Sequence, residues 1–261
     1  MTLRSKSAPL LAVVTNYAFS AEADFLKAEL EKFVDTLLID NSSPIAPQTA
    51  DITITNDYYT GLWNAAVNAA KARQKKWLLF VAADVQIDNV ELLVARLEQV
   101  VSEASIGLYT PAVRSGSRLA YPACYQRPNG RLRECYVCEG FFFFVRIEIA
   151  EELYPVDSKL NKYGGGLYVL TAYFTYLRGY RAVVDDAVTI FHPAAVHDIP
   201  VDEAESELQR YLDPCVWNFL RWTKLQIARQ SSRSIFPCWL AALWSRRRWR
   251  RKELARLAAT I

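Results

Sequence analysis

At 261 residues the chain is long enough to bury a large core, and one α/β domain with an appendage is the expectation. A composition of 52% hydrophobic and 23% charged residues, with no low-complexity tract and no internal repeat, excludes the disordered and fibrous classes. The net charge of +3 is too small to imply nucleic-acid binding by itself.

The start, MTLRSKSAPLLAVV, sets basic residues before an apolar run, as a signal peptide does. It continues into TNYAFSAEADF without a small-residue cleavage pattern, so residues 10–14 read as a first strand ending at Thr15-Asn16. Over 21–33, Phe25, Leu26, Leu30 and Phe33 recur at helical spacing. A second strand, 36–39, stops at Asp40-Asn41-Ser42-Ser43-Pro44. A short third strand spans 52–55, a helix 61–73, a fourth strand 77–81 and a helix 90–101. Asp88 stands ahead of that last helix and three residues before Glu91, which predicts that Asp88 caps it.

Continuous apolar strands separated by helices argue for a mostly parallel sheet covered on both faces. Such sheets bind ligands beyond the carboxyl ends of their strands. Thr15-Asn16, Asp40-Asn41 and Asp84 all fall at such ends.

The second half reads as mixed rather than purely parallel. Residues 106–112 form a strand, Pro128-Asn129-Gly130 is a turn between strand-like flanks, and 141–145 is very apolar. Lys162-Tyr163-Gly164-Gly165-Gly166 is a flexible loop before a helix over 167–177, and two strands, 181–184 and 188–191, close the fold before His192-Pro193. Five cysteines (Cys124, Cys135, Cys138, Cys215, Cys238), odd in number and widely spaced, suit reduced thiols in a cytoplasmic protein. Cys135-Tyr136-Val137-Cys138 has no second pair to complete a tetrahedral zinc site.

VVTNYAF, LLIDNSS, LLFVAADVQID and GYRAVVDDAVTIFHP resemble, in order and spacing, the GT-A-fold glycosyltransferases, in particular their family-2-like branch. The resemblance runs from Leu10 to His192. It implies an α/β fold with a mostly parallel central sheet flanked by helices. It also implies transfer of a sugar from a UDP-, GDP- or dTDP-linked donor to a carbohydrate or lipid-linked acceptor, with inversion. On this resemblance Thr15 and Asn16 line the nucleotide pocket, and Asp40, with Asn41 beside it, receives the base or ribose. Asp84 takes the last position of the D-x-D motif that binds Mg²⁺ or Mn²⁺ on the donor diphosphate, and His192 completes the metal or phosphate shell.

Two departures stand out. Ala82 replaces the first acid of that motif, and Tyr168 stands where relatives keep the acid that serves the acceptor. Glu139, flanked by apolar residues, is the replacement base, because burial pushes a carboxyl pKa upward. Asp157 is the second candidate base, with a turn cap as its bland alternative; for Glu139 the bland alternative is an ion pair with Arg133 or Arg146. Arg118, Arg127, Arg131 and Arg133 crowd the Pro128 turn as a diphosphate clamp or as a solvated hairpin surface. His197 follows His192 by five residues and reads as an exposed loop residue. The same departures motivate the alternative of a catalytically impaired homologue that serves as a nucleotide-sugar-binding or scaffold subunit. The absence of glycine from Thr15 to Ser20 argues against nucleotidyltransferase, dinucleotide-binding and P-loop readings.

Residues 1–197 form the expected GT-A domain and 198–261 a helical extension. The extension sets Trp217, Phe219, Trp222, Trp239 and Trp244 beside a cluster from Arg246 to Arg256, with Glu253 as its single acid. No apolar run there reaches the length of a membrane span. Aromatics next to arginines suit the surface of an anionic membrane, which predicts peripheral attachment at the inner face; RNA is the weaker reading of the same pattern.

Overall fold

The computed structural model describes residues 9–115, 117, 124–128, 130–193, 203–204, 206–207 and 210. The basic, aromatic segment beyond Arg210, and with it Arg118, Asn129 and His197, lies outside the described residues. In chain order the elements are β1 (Leu10–Asn16), α1 (Ser20–Glu31), β2 (Thr36–Asp40), β3 (Ile52–Thr53), α2 (Tyr58–Ala72), β4 (Trp77–Ala82) and β5 (Gln86–Ile87). Then follow α3 (Val90–Ser102), β6 (Ile106–Val113), β7 (Leu132–Glu134), β8 (Phe142–Arg146), α4 (Ile147–Ala150), α5 (Leu167–Leu177) and β9 (Arg181–Phe191).

The strands form one sheet in the order β3-β2-β1-β4-β8-β6-β9-β5, with β7 also paired to β9. From β3 to β4 all pairs are parallel. β8 runs antiparallel between β4 and β6, β6 and β9 are parallel, and β5 and β7 are antiparallel to β9. The sheet is thus parallel on one side and mixed on the other, as the sequence pattern implied.

Chain direction sets the layers. β1 to β2 steps one way across the sheet and β3 to β4 the other, so right-handed crossovers place α1 and α2 on opposite faces. α2 touches α4, and α4 touches α5, which makes one helical layer. α1 and the start of α3 share the opposite layer and line one cavity there.

The core is seamed by β8, whose run Phe142-Phe143-Phe144-Val145 is sealed from solvent beside Leu78, Leu79, Phe80 and Val81 of β4. Phe143 stacks on Phe80 with centroids 5.3 Å apart, and Phe144 on Trp77 at 4.6 Å, so the two rings of each pair lie on one face of the sheet. Each such side chain contributes about 1.5–3 kcal/mol through burial.

Two local expectations are corrected. Residues 181–184 and 188–191 form one long strand rather than two, because β9 bulges past β6 between Pro111 and Ala112. The acids that look like a break, Asp185 and Asp186, are buried there against Arg96 and Arg133. The cap of α3 is Asn89, whose side chain accepts from Leu92 N at 2.8 Å; it directly precedes the helix and reaches the N3 amide. Asp88 lies one residue too early and pairs with Arg114 at 3.3 Å.

Candidate active site

The carboxyl ends of β1, β2 and β4 lie side by side, since Asn16 pairs with Asp40 and Thr15 with Ala82 in the sheet register. The Thr15 hydroxyl donates to Val81 O (3.2 Å), and Ala83 N donates to Thr15 O (2.9 Å), which fixes the turn carrying Asp84 against β1.

Asp40 is fully buried and its oxygens are taken by neighbours. Asn16 Nδ2 (2.9 Å) and the Ser43 hydroxyl (2.5 Å) donate to Oδ1, and Ser43 N donates to Oδ2 (3.1 Å). Asn16 Nδ2 also reaches Ser43 Oγ at 3.0 Å, while its Oδ1 accepts from Phe19 N at 3.0 Å. Asn41 is buried as well; it donates to Asn56 Oδ1 (3.0 Å) and accepts from Asp57 N (3.1 Å), so it ties the β2 loop to the start of α2. Thr15, Asn16, Asp40 and Asn41 are therefore brought together as a bonded rim.

That rim is strained. Of the four non-glycine residues with positive φ among the described residues, Ala18, Ser42 and Tyr58 follow β1, β2 and β3 respectively. Each such residue costs about 1–3 kcal/mol and persists where its surroundings over-determine it. Here Ala18 N donates to Ser43 Oγ (2.9 Å), the Ser42 hydroxyl to Ile54 O (2.7 Å), and Tyr58 N to Asn56 Oδ1 (3.2 Å). Each strained loop is held by a polar side chain of the rim. Ser43 and the strained positions escaped the sequence reading; the one available signal was the polar run Asn41-Ser42-Ser43 in a rim without glycine.

Asp84 is arranged differently. Its side chain keeps 15% exposure, and Oδ2 lies 3.3 Å from Nε2 of His192, which is equally exposed. The imidazole stacks flat on Phe141 (centroids 4.0 Å apart, planes 8° off parallel), and His192 N donates to Ser117 Oγ at 3.2 Å. Phe141 O in turn accepts from Ala82 N (2.8 Å), so one ring and one backbone bond fix the histidine against the acid. The two residues predicted as metal ligands, 108 positions apart in sequence (192 − 84), thus meet at the end of β4. No third His, Cys, Asp or Glu joins them in a metal-holding group among the described residues. A carboxylate and an imidazole suit a divalent cation that keeps waters and shares ligands with a diphosphate.

Glu139 is 4% exposed, two residues before Phe141. The adjoining Gly140 carbonyl accepts from Tyr59 Oη at 2.6 Å, and a Cβ on Gly140 would stand 3.1 Å from the Tyr168 ring. Burial pushes the Tyr59 phenol well above its ordinary range, with Cys138 and Tyr168 adding to the shift, so it stays a donor. Tyr168, in the place of the missing acid, thus packs on the segment that carries Glu139. Arg133 pairs with Asp186 (2.9 Å) and Arg146 donates to Ile106 O (2.8 Å). Asp157 is exposed and caps a turn, its Oδ1 accepting from Lys159 N at 2.9 Å and its carbonyl from Leu160 and Asn161.

The glycine loop is clasped from a later segment. Glu207 Oε2 accepts from Lys162 N (3.1 Å) and Tyr163 N (3.3 Å), and the Tyr163 hydroxyl donates to Glu203 Oε2 (2.9 Å). On its other side Lys162 Nζ lies over the Tyr58 ring, 4.2 Å from the centroid.

A cavity of about 470 Å³ opens between α1 and the turn from β4 to β5, with Asp84 in its wall. No helix among the described residues is long and apolar enough to cross a membrane.

The chain has the GT-A fold of nucleotide-sugar glycosyltransferases, a mixed α/β sheet flanked by helices. Among solved structures it is similar to GalNAc-T7 with UDP, GalNAc and Mn²⁺, at 11% identity and a TM-score of 0.53 over 81% of this chain. It is likewise similar to residues 1–349 of TarS from S. aureus, at 14% identity and a TM-score of 0.53, over 90% of this chain and 78% of that one. The chain spans 47% of the length of the GalNAc-T7 structure. No protein-family profile and no curated protein matches the sequence.

Proposed function

We propose that the protein is a glycosyltransferase that moves a sugar from a nucleotide-diphosphate donor to an acceptor hydroxyl. The observation that carries this reading is the meeting of Asp84 and His192 at the carboxyl end of β4, 3.3 Å apart and both part-buried. Asp84 and His192 would hold Mn²⁺ or Mg²⁺, which when bound stabilises charge on a departing diphosphate. Phe141 orients the imidazole, and Thr15 and the bonded rim fix the turn in which Asp84 sits. The donor nucleotide would lie along the rim of Thr15, Asn16, Asp40 and Asn41; because Asp40 is buried, it would act by shaping the loop that meets the base. The acceptor oxygen forms a bond to the anomeric carbon while the bond to the diphosphate oxygen breaks, its electron pair leaving on the diphosphate. Glu139 would take the acceptor proton, with Asp157 as the second candidate, and the anomeric centre would invert. The aromatic, basic segment beyond Arg210 would hold the enzyme at an anionic membrane surface, where a lipid-linked acceptor resides.

The test is release of nucleoside diphosphate from UDP-, GDP- and dTDP-sugars with Mn²⁺ present. Asp84→Ala is expected to lower turnover by about 100-fold or more while the protein stays folded. An unchanged rate would overturn the assignment. Ala82 and Tyr168 favour a second reading, a nucleotide-sugar-binding subunit without turnover. UDP binding by calorimetry, with no product across a panel of acceptors, would establish it instead.

A further inference from the structure

Tyr59, the second residue of α2, is wedged between the glycine loop and the segment that leads into β8. A Cβ on Gly164, whose φ is +65°, would stand 2.2 Å from Tyr59 Cδ1, so the loop closes on the ring only through a glycine. The ring packs on Phe80 of β4 with centroids 5.3 Å apart, a contact that phenylalanine would make equally well. Packing therefore leaves the hydroxyl unexplained. It donates to Gly140 O at 2.6 Å, and the residue before it, Tyr58, is one of the strained positions (φ 51°). Strain of this kind persists where the surroundings over-determine a conformation.

Gly140 O belongs to the planar peptide that enters Phe141, and Phe141 O to the peptide that leaves it. Tyr59 Oη holds the first carbonyl, and Ala82 N of β4 holds the second at 2.8 Å. With the peptides on both sides tied, the backbone angles of Phe141 are set, and so is the direction of its Cβ. That direction lays the ring flat on the His192 imidazole, 4.0 Å between centroids, whose Nε2 faces Asp84 at 3.3 Å. From this geometry we infer that Tyr59 is a positioning residue: it acts through Phe141 to keep the His192 ring in line with Asp84. What the aligned pair would hold rests on the glycosyltransferase reading; the alignment itself does not.

The chain has two histidines, so carbon–proton NMR of the full, histidine-labelled protein can follow His192 at one fixed pH. Loss of a signal in His192→Gln assigns it. Stacking on Phe141 places the carbon-bound ring protons of His192 in the ring current of the phenyl group. Tyr59→Phe keeps the ring on Phe80 and removes only the donor. It should move the His192 signals toward those of an unstacked imidazole, and Phe141→Leu should do the same. Each variant should also weaken Mn²⁺ binding in the presence of UDP, read as free metal by electron paramagnetic resonance, by about tenfold. Because the two residues act in series, the double variant should lose no more than about twofold beyond the larger single loss. Unmoved His192 signals in Tyr59→Phe would overturn the role, and so would fully additive losses of Mn²⁺ affinity. Signals that move in Tyr59→Phe, in a protein that binds no Mn²⁺ with UDP, would uphold the positioning and overturn the metal and donor reading instead.

Discussion

At the end of β2, Asp40 is sealed from solvent and spends its oxygens on Asn16 and Ser43; at the end of β4, Asp84 keeps 15% exposure and faces His192 in the wall of a cavity. Both acids stop an apolar strand of the same parallel sheet. The chain that follows each one separates them. After Asp40 come Asn41, Ser42 and Ser43, and Ser43 folds back to donate its amide and its hydroxyl to the acid. After Asp84 come Val85 and then Gln86-Ile87, which are drawn away to pair with β9. A strand-end carboxylate fixes loops where the next residues can donate to it, and stays open to a ligand where they cannot.

The largest effect that sharpens this contrast concerns a third acid, Asp185, which is as sealed as Asp40. Arg96 grips it through Nε (2.7 Å) and Nη2 (3.2 Å), and the Tyr109 hydroxyl adds a bond at 3.1 Å. Its carboxylate holds the Arg96 guanidinium above its ordinary range, and burial, with Asp185 adding, pushes Tyr109 up. Arg96→Leu leaves a buried charge without its partner and is expected to cost about 3–5 kcal/mol in denaturant unfolding. Next in size, Asp40→Ala removes the buried acceptor of the Asn16 amide and of both Ser43 donors and should cost about 3 kcal/mol. Asp84→Ala should change stability by less than about 1 kcal/mol, because its pair with His192 is partly solvated. Equal losses at the two positions would break the comparison.

A separate effect is one of pH. Burial raises the Cys135 thiol from 9.0 to about 12. Between those values the unfolded chain has released a proton that the folded chain keeps, so stability declines as pH rises. The slope is about 1.4 kcal/mol per pH unit for this group. Burial pushes Cys124 and Cys138 up as well, so they steepen the decline. Chemical unfolding at pH 9 and 10.5 should show it, and Cys135→Ala should remove this group's share.

The parallel half was legible because its periodicities are local. β1, β2, β4, α1, α3 and α5 fall within a few residues of their expected bounds, and the family resemblance had set Asp84 and His192 in one shell, where they lie 3.3 Å apart. What escaped depends on distant partners. β5 has two residues and exists only because β9 offers an edge. The pair Asp185-Asp186 reads as a break until Arg96 and Arg133 are set beside it. The strain at Ala18 and Tyr58 carries no sequence signal, since neither is glycine, and at Ser42 only the polar run Asn41-Ser42-Ser43 marks it. Arg133, expected at a clamp or against Glu139, pairs with Asp186 of β9, a contact that no local pattern encodes.

The clasp of Glu203 and Glu207 on the glycine loop bears on how the polypeptide can be shortened. A stop codon at the expected boundary after residue 197 would strip the Lys162 and Tyr163 amides of the acceptor that satisfies them. A shortened version should therefore end no earlier than Arg210, so that trimming leaves the acidic strap in place while discarding the arginine-rich tail.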